Sequence, residues 1–382
     1  MQSDVLLIIG HLGEGGAQKT VSLLANTWAG RGVRVCVATF ADRETDRYRL
    51  DARVERVQLA AKSSRSFPLR RVTDNLRRVA AIRALIRRTR VPTAIALVAA
   101  TNVLTVLAAW RMPVRVIISE RNDPDRQSHG RVWDFLRRTV YRYADIVTAN
   151  SQGAVQSLAR YVPRQKLALV PNLLERRFTP GASSERRPVV LAVGRLVPQK
   201  GFDILLEAFA IVVRSYPGWR LRIAGDGPEA LSLRNLARSL ELEAHVDWLG
   251  HIGDVTPEYA GAAIFVLSSR FEGTPNTLLE AMAAGLPAVV TNASPGPLEL
   301  IADGKTGFVV PVGDAPRLAE AILQLISQPD FRAKLGSAAC AVVAPFDLST
   351  AIVSWDRLIE GRNPEAARSD SARLGQRPRP SS

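Results

Sequence analysis

The chain has 382 residues, of which 47% are hydrophobic and 23% are charged. This length allows two domains of ordinary size, and the composition is that of a soluble globular protein. The net charge is +15, and residues 1–180 carry the surplus: they hold 31 Lys and Arg against 14 Asp and Glu, whereas residues 181–382 hold 20 against 22. So basic a half must attract an anionic partner, such as a phospholipid surface, a lipid diphosphate or nucleic acid.

The two cysteines and the first residues bear on the compartment. Cys36 and Cys340 lie far apart in sequence, so neither a disulfide framework nor a metal site is indicated. Residues 1–4 lack the basic segment that opens a signal peptide. We therefore expect a protein of the reducing cytoplasm.

The first half alternates short apolar strands with helical stretches. The predicted strands are Val5–Ile9, Val33–Thr39, Thr93–Val98, Val114–Ser119, Ile146–Ala149 and Leu167–Val170. Helical runs are predicted over 17–29 and 71–88. Short buried strands separated by helices predict a parallel sheet that is covered on both faces.

One uncharged stretch, Val91–Trp110, lies between two arginines and is long enough to cross a membrane. It contains a proline, an asparagine and three threonines, however, and divides naturally at residues 99–100. We expect a strand at Thr93–Val98 and a helix at Thr101–Trp110.

The helix predicted over 71–88 is unusually rich in arginine. Apolar residues recur at helical spacing and predict a packed face: Val72, Leu76, Val79, Ile82 and Ile86. Basic residues crowd the remainder and the segment before it: Lys62, Arg65, Arg70, Arg71, Arg77, Arg78, Arg83, Arg87, Arg88 and Arg90. A solvated outer helix is one interpretation, and attachment to an anionic bilayer is the interpretation that we favour.

The second half repeats the alternation. Its predicted strands are Val189–Val193, Leu221–Ala224, Val246–Leu249, Ile264–Ser268, Ala288–Thr291 and Phe308–Val310. A linker is expected within 171–188. We predict a first domain over 1–180, a second over 181–346, a helix at 347–362 that packs back on the first domain, and a disordered tail at 363–382.

Two turns that come after predicted strands suit phosphate. Gly15 and Gly16 lead into a helix, where glycines let an anion approach the helix N-terminus, although such turns are often only tight corners. Gly194, Arg195 and Lys200 follow the first strand of the second half. A guanidinium and an ammonium together suit a diphosphate.

The most informative segment runs from Glu272 to Glu280. Thr274 is a natural N-cap, and the proline after it is a natural first helical residue. The N–H groups and dipole of a helix that begins there would favour a diphosphate. The second carboxylate lies about a turn and a half further on, within reach of hydroxyls near that anion. This pattern predicts a nucleotide-sugar site.

The frame from Ser269 to Pro287 resembles the signature of the retaining GT-B glycosyltransferases of family four. The resemblance implies an α/β fold of two Rossmann-like domains whose parallel sheets face each other across a cleft. It implies that Glu280 binds the donor ribose and that Glu272 lies near the hydroxyls of the transferred sugar. The phosphates and sugar would be held around Gly273, Thr274, Asn276 and Thr277.

The resemblance also implies that Arg195 and Lys200 contact the leaving diphosphate and that the Gly15–Gly16 turn faces it. We interpret no Asp-x-Asp pair as a metal clamp. We therefore predict no required divalent metal and no cofactor besides the nucleotide-sugar donor. Asp226, in a strand–turn–helix corner with Gly225 and Gly227, is not expected to be catalytic.

The first half departs from the family pattern in one place. Many members carry a histidine after the strand that here ends in Ser119, Glu120 and Arg121. A similar sequence occurs in members that extend polyprenyl-diphosphate-linked glycans. Three interpretations stay open: Glu120 takes the place of the histidine, Arg121 holds an acceptor phosphate, or the two belong to a salt-bridged loop. His11 and His129 are further candidates for polar contacts.

The sequence therefore predicts a retaining, metal-independent glycosyltransferase on the inner face of the cell membrane. It would move a hexose or N-acetylhexosamine, most simply from UDP, to a polyprenyl-diphosphate-linked acceptor of a surface polysaccharide or glycan pathway. The alternatives are a transferase with a soluble acceptor or GDP-mannose donor, and a GT-B sugar-nucleotide epimerase. A nucleic-acid-binding role has only the basic charge in its favour, and we expect no nucleic-acid partner.

Overall fold

The computed structural model describes residues 3–59, 68–175 and 186–361, with side chains from residue 72 onward in the second range. Several predictions fall outside these residues. They are the middle of the linker, the basic residues Lys62 and Arg65, the side chains of Arg70 and Arg71, and the tail from Asn363.

The chain divides into two compact units. One comprises Met1–Leu173 and the chain from Ala351 onward, and the other comprises Leu174–Thr350. The helix expected at 347–362 spans Leu348–Ile359.

The strands described in the first unit form one parallel sheet: β1 (Val5–Ile9), β2 (Val35–Thr39), β3 (Glu55–Gln58), β4 (Thr93–Leu97), β5 (Arg115–Glu120), β6 (Ile146–Ala149) and β7 (Leu167–Leu169). Their order is β3-β2-β1-β4-β5-β6-β7. The helices between them are α1 (Gly16–Gly30), α2 (Pro68–Thr89), α3 (Ala99–Ala109), α4 (Arg131–Val140) and α5 (Gln152–Leu158). Every residue of β1, β2 and β4 is buried, as expected for a sheet that is covered on both faces.

The second unit has the same plan. Its described strands are β8 (Val189–Val193), β9 (Arg220–Ala224), β10 (Val246–Gly250), β11 (Ile264–Leu267), β12 (Ala288–Thr291) and β13 (Gly307–Val310), in the order β10-β9-β8-β11-β12-β13. The helices are α6 (Phe202–Ser215), α7 (Ala230–Ser239), α8 (Thr256–Gly261), α9 (Asn276–Ala283), α10 (Pro295–Leu298), α11 (Ala315–Ser327) and α12 (Pro329–Val342), and α13 (Leu348–Ile359) follows. The predicted α/β class, with a parallel Rossmann-like sheet in each half, is confirmed.

The strand order places a switch point in each sheet. β1 lies between β2 and β4, and β8 lies between β9 and β11, so the strands that follow β1 and β8 in the chain are added first on one side and then on the other. Ligands of open α/β sheets bind at such points, beyond the carboxyl ends of the strands. The predicted phosphate-binding turns follow β1 and β8.

Val98 joins β4 to α3 and has an unusual backbone conformation. Its φ is 78°, a region that a β-branched residue rarely adopts. The Val98 amide donates to the carbonyl of Ser119 (3.3 Å), and the Val98 carbonyl accepts from the Asn102 amide (2.9 Å). The chain therefore turns from strand to helix at a single strained residue.

The uncharged stretch Val91–Trp110 is a strand and a helix, as predicted: β4 ends at Leu97 and α3 begins at Ala99. Across the described ranges, no helix is both long enough and apolar enough to cross a membrane.

The packed face predicted for α2 is only half right. Ile82 and Ile86 are buried and Val79 packs against the core, but Val72 and Leu76 are 60% and 63% exposed. The neighbouring helix α3 is half as long as α2, 11 residues against 22, so α3 cannot pack along the whole length of α2.

Two tryptophans lie where α13 joins the first unit. Trp28 and Trp355 are both buried. Trp28 Nε1 donates to Asp356 Oδ1 (2.8 Å), whereas Trp355 Nε1 has no hydrogen-bond partner within the described part of the chain. Comparing the two tryptophans therefore distinguishes the contribution of the hydrogen bond to stability from the contribution of the buried ring.

We expect Trp28→Phe to lower the free energy of unfolding by about 1.5–3 kcal/mol more than Trp355→Phe, because only the first substitution removes a hydrogen bond to a carboxylate. Urea unfolding followed by circular dichroism measures both. Equal losses would show that the bond to Asp356 adds nothing.

Candidate active site

Two of the predicted motifs meet at the switch point of the second unit. β8 and β11 are adjacent and parallel, so the segments that follow them leave the same edge of the sheet side by side. Hydrogen bonds join the segments: Ser268 Oγ donates to the carbonyl of Lys200 (2.9 Å), and the Arg270 amide donates to the carbonyl of Gln199 (2.7 Å).

An ion pair occupies the centre of this junction. Lys200 Nζ lies 2.6 Å from Glu272 Oε1, and the two side chains are only 15% and 8% exposed. Ser269 Oγ donates to the same carboxylate oxygen (2.6 Å), and Ser294 Oγ accepts from the Glu272 amide (2.9 Å). The sequence assigned Lys200 and Glu272 separate contacts on a donor, and it did not reveal that each is the other's partner.

Glycines allow the segment after β8 to take this shape. The Lys200 side chain passes over Gly194, whose added Cβ would lie 3.3 Å from Lys200 Cε. A Cβ on Gly225 would collide with the carbonyl of Gly194, and one on Gly227 with that of Leu196. The corner after β9 therefore packs directly on the predicted phosphate turn.

Arg195 differs from Lys200 in its surroundings. Its side chain is exposed, and within the described ranges its guanidinium has no hydrogen-bond or ion-pair partner. Asp226, in the neighbouring corner, accepts from the Gly227 amide (2.7 Å). Arg195 can therefore meet an anion without breaking a bond inside the protein.

Helix α9 begins one residue later than predicted. Pro275 is its N-cap residue, with an extended ψ of 122°, and Asn276 is its first residue. Thr274 is therefore not the N-cap; it is buried beside Gly273, whose carbonyl touches Gly296. The N–H groups at the start of a helix have no partner within it, and here they belong to the segment that also carries Glu272.

Glu280 is held by a residue that the sequence did not single out. Tyr259 Oη donates to Glu280 Oε2 (2.9 Å), and the ring of Tyr259 is 1% exposed. Burial, and then the neighbouring carboxylate, raise the pKa of the Tyr259 hydroxyl well above its ordinary value, so it remains a donor. The two residues lie 21 positions apart, with no pattern linking them.

The glycine turn of the first unit is stabilised by hydrogen bonds of its own residues. Gly15, with φ 142°, is the N-cap residue of α1. His11 Nδ1 accepts from the Gly13 amide (3.1 Å), and His11 Nε2 contacts Gln18 Nε2 (3.2 Å). His11 thus shapes the turn before Gly16.

Glu120 is almost fully buried, at 2% exposed. Its Oε2 accepts from Tyr141 Oη (2.9 Å), and its Oε1 accepts from the Arg121 amide (3.3 Å). Burial raises the pKa of the Glu120 carboxyl, while nearby Arg137 and the Tyr141 hydrogen bond oppose that rise. Its contacts are those of a group that supports its neighbours from inside the domain.

Arg121 connects the end of β5 to the glycine turn. Its Nη2 donates to Thr20 Oγ1 (3.2 Å) and to Asn172 Oδ1, and Thr20 Oγ1 in turn donates to the carbonyl of Gly16 (3.0 Å). Arg121 Nη1 is buried and has no partner among the described residues. Burial lowers the pKa of the guanidinium to about 10, so it stays charged at neutral pH. A buried cation with a donor to spare suits an anion.

No metal centre emerges from the described residues, in which no group of three or more His, Cys, Asp or Glu side chains could hold an ion. His129 lies in the segment before α4, and its Nε2 is buried with no partner in the described part of the chain. Burial, and then Arg137, lower the pKa of His129.

Two family models match the chain. Residues 15–173 match the glycosyl transferase 4-like domain, and residues 175–341 match glycosyl transferases group 1. The chain carries the two domains of a group 1 glycosyltransferase. The predicted family resemblance is thereby confirmed.

Relatives of this glycosyltransferase differ in length. An exopolysaccharide phosphotransferase of Streptomyces coelicolor is 36% identical over 64% of the chain, which spans only 26% of that protein. A Campylobacter jejuni N-acetylgalactosaminyltransferase, named for an undecaprenol-diphosphate-linked GalNAc–GalNAc–diNAcBac acceptor, is 26% identical over 93% of the chain and 98% of its own length.

Two solved structures share the fold. Sucrose-phosphate synthase from Thermosynechococcus elongatus superposes with a TM-score of 0.82 at 20% identity, over 94% of this chain and 99% of its own. HepE of Anabaena, in complex with UDP-glucose, superposes with a TM-score of 0.76 at 21% identity, with the same coverage of both chains.

Tyr259→Phe should raise the KM for the sugar donor several-fold and change kcat little, because it removes the hydrogen bond that orients Glu280 without emptying the buried ring site. Initial rates at varied donor concentration check this. Tyr216→Phe, in the same unit at the end of α6, is the control and should behave as wild type. A donor KM unchanged by Tyr259→Phe would exclude a positioning role.

Proposed function

We propose that this glycosyltransferase moves a hexose or N-acetylhexosamine, with retention of configuration, from a UDP-sugar to a lipid-diphosphate-linked sugar acceptor. The reaction requires no metal and takes place at the cytoplasmic face of a membrane, in polysaccharide or glycan synthesis. The observation that carries the proposal is the junction in the second unit, where Arg195, the Lys200–Glu272 pair and the start of α9 follow adjacent strands.

The junction has the chemistry of a diphosphate site. Arg195 is an exposed cation, and Lys200 is a second cation held by a carboxylate. The start of α9 adds amide donors and the positive end of a helix dipole. Glu280, oriented by Tyr259, is a strong acceptor for the two ribose hydroxyls, and Glu272 accepts from the transferred sugar. The choice of UDP as the nucleotide is supported by the UDP-glucose complex of HepE, which has a similar fold.

The cations and amides would act on the bond that breaks. In the proposed reaction the C1–O bond to the diphosphate cleaves and a C1–O bond to the acceptor hydroxyl forms on the same face. The acceptor proton passes to the departing phosphate oxygen. Arg195, Lys200 and the α9 amides stabilise the charge that develops on the leaving group, so the protein contributes position and electrostatics.

The acceptor proposal rests on the first unit. Arg121 presents a buried, charged Nη1 beside the glycine turn, which suits a phosphate group of a lipid-linked acceptor. The name of the Campylobacter relative specifies an acceptor of this class. Glu120 and Tyr141 would act as positioning residues behind Arg121.

Attachment to an anionic membrane is proposed from the charge of the first half. On α2, Arg77 is 73% exposed at its side chain and Arg88 is 60% exposed. Other arginines of the helix are used internally: Arg83 donates to the carbonyls of Ala108 (2.7 Å) and Trp110 (2.9 Å), and Arg78 lies over the ring of Phe40. The proposed attachment therefore relies on only part of the arginine content.

Glu280→Ala should abolish detectable UDP binding and turnover, since the ribose loses its acceptor and the Tyr259 hydroxyl loses its hydrogen bond to Glu280. Titration calorimetry with UDP and product formation from UDP-sugars with a lipid-linked acceptor measure this, and NMR of the product gives the anomeric configuration. The control is Glu320→Ala, an exposed helical glutamate of the same unit. Wild-type binding by Glu280→Ala would refute the site, and loss of turnover in EDTA would refute metal independence.

Arg121→Gln should raise the KM for the lipid-linked acceptor on the order of 10- to 100-fold, because a charge-assisted hydrogen bond to phosphate is lost. The KM for the donor should be unchanged. Arg126→Gln, an exposed arginine five residues later, is the matched control, and thermal melts check that both variants fold. An equal rise in both KM values would assign Arg121 to the structure of the domain.

A further inference from the structure

The outward side of α4 is apolar where a surface helix is ordinarily polar. Val132 and Phe135 are 71% and 65% exposed and lie three residues apart, so they project from one side of the helix. Arg131 and Arg138 flank them and are exposed as well. Trp133 packs against the core instead. An exposed apolar pair indicates an interaction surface when it belongs to a larger apolar patch.

The helices beside α4 share this character. α3 packs against both α2 and α4, and right-handed crossovers place all three on one face of the first sheet. Further large apolar side chains exposed on this layer are Val72, Leu76, Leu107, Trp110 and Tyr143. Its exposed arginines are Arg77, Arg87, Arg88, Arg90, Arg111, Arg131, Arg138 and Arg142. The layer thus combines apolar contact area with a surplus of positive charge.

The inward side of α4 holds the segment that follows Arg121. Arg137 is 4% exposed, and its Nη2 donates to the carbonyl of Pro124 (2.7 Å). Asp134 accepts from Ser128 Oγ (2.6 Å) and from the His129 amide (3.1 Å). The same helix therefore carries an exposed apolar pair outside and fixes residues 124–129 inside.

We propose that α4 docks on an anionic bilayer, with Val132 and Phe135 inserted among the lipids and Arg131 and Arg138 at the headgroup phosphates. Docking steadies the 122–130 segment and so sets Arg121 for the phosphate of a lipid-linked acceptor. This inference rests on the proposed function for its acceptor, but the docking itself does not depend on the reaction.

The charges favour a bilayer over other occupants. In a symmetric dimer the same patch meets itself, which would set the arginines of α4 against those of a second copy. An anionic membrane satisfies both features of the surface, since apolar side chains enter the acyl boundary and arginines remain with the lipid phosphates.

The test is sedimentation of the full chain with phosphatidylcholine vesicles, with and without phosphatidylglycerol. The double variant Val132→Ser/Phe135→Ser should bind anionic vesicles about tenfold or more weakly than wild type, because two inserted side chains are lost. The matched control is Leu231→Ser/Leu298→Ser, which removes two exposed leucines from the second unit. It should bind as wild type.

The proposal would be overturned if the α4 variant bound anionic vesicles as well as wild type does, or if wild type bound neutral and anionic vesicles equally. It would also be overturned if light scattering showed that wild type is a dimer and that the α4 variant is not, while both proteins bound vesicles equally. Turnover of a short-chain, water-soluble acceptor separates this proposal from the proposed function. The α4 variant should turn over the water-soluble acceptor as wild type does. If wild type itself does not turn over this acceptor, the result counts against the proposed reaction but does not affect the vesicle-binding result.

Hydrogen exchange tests the coupling to the acceptor segment. Anionic vesicles should slow amide exchange in residues 122–130 of wild type and of the leucine control, and should leave it unchanged in the α4 variant. Slowing that is the same in all three proteins would show that α4 does not transmit docking to Arg121.

Discussion

The ion pair between Lys200 and Glu272 joins the two segments that leave the switch point of the second sheet. Both side chains are largely withdrawn from water, and a charge in that position is costly unless it is paired. The pairing requires β8 beside β11, a glycine under the lysine stem, and two serines around the glutamate. The strands, the glycine and the serines around Lys200 and Glu272 thus stabilise one buried pair of charges, which an anionic ligand at this site would contact.

Arginine has several separate tasks in the basic first unit. Arg83 satisfies carbonyls at the end of α3, Arg137 holds the segment before α4, and Arg121 reaches from β5 to α1. A planar guanidinium has five donors in a fixed fork, against three on an ammonium, and so is well suited to bridging elements in this way. Net charge alone therefore overstates how much of this unit is available to an anionic partner.

The sequence predicted those features that depend on local pattern. Buried strands such as β1 and β12 were found with their bounds because parallel strands read as short apolar runs. β3 was missed because it lies at the sheet edge, where charged residues such as Glu55 and Arg56 are tolerated. Tyr259 was missed because its bond to Glu280 depends on tertiary packing, and Val72 was misplaced because helical spacing does not reveal how far a neighbouring helix extends.

The strained junction at Val98 has a consequence for how this domain can be modified. A β-branched residue in the left-handed region costs on the order of 1–3 kcal/mol, which the surrounding hydrogen bonds and packing must offset. In return, α3 starts within two residues of the end of β4, beside the glycine turn of α1. A substitution that relaxed the backbone at Val98 would increase the free energy of unfolding. It would also allow the start of α3 to move relative to the end of β4. The same residue therefore limits the stability of the domain and fixes the position of the helix.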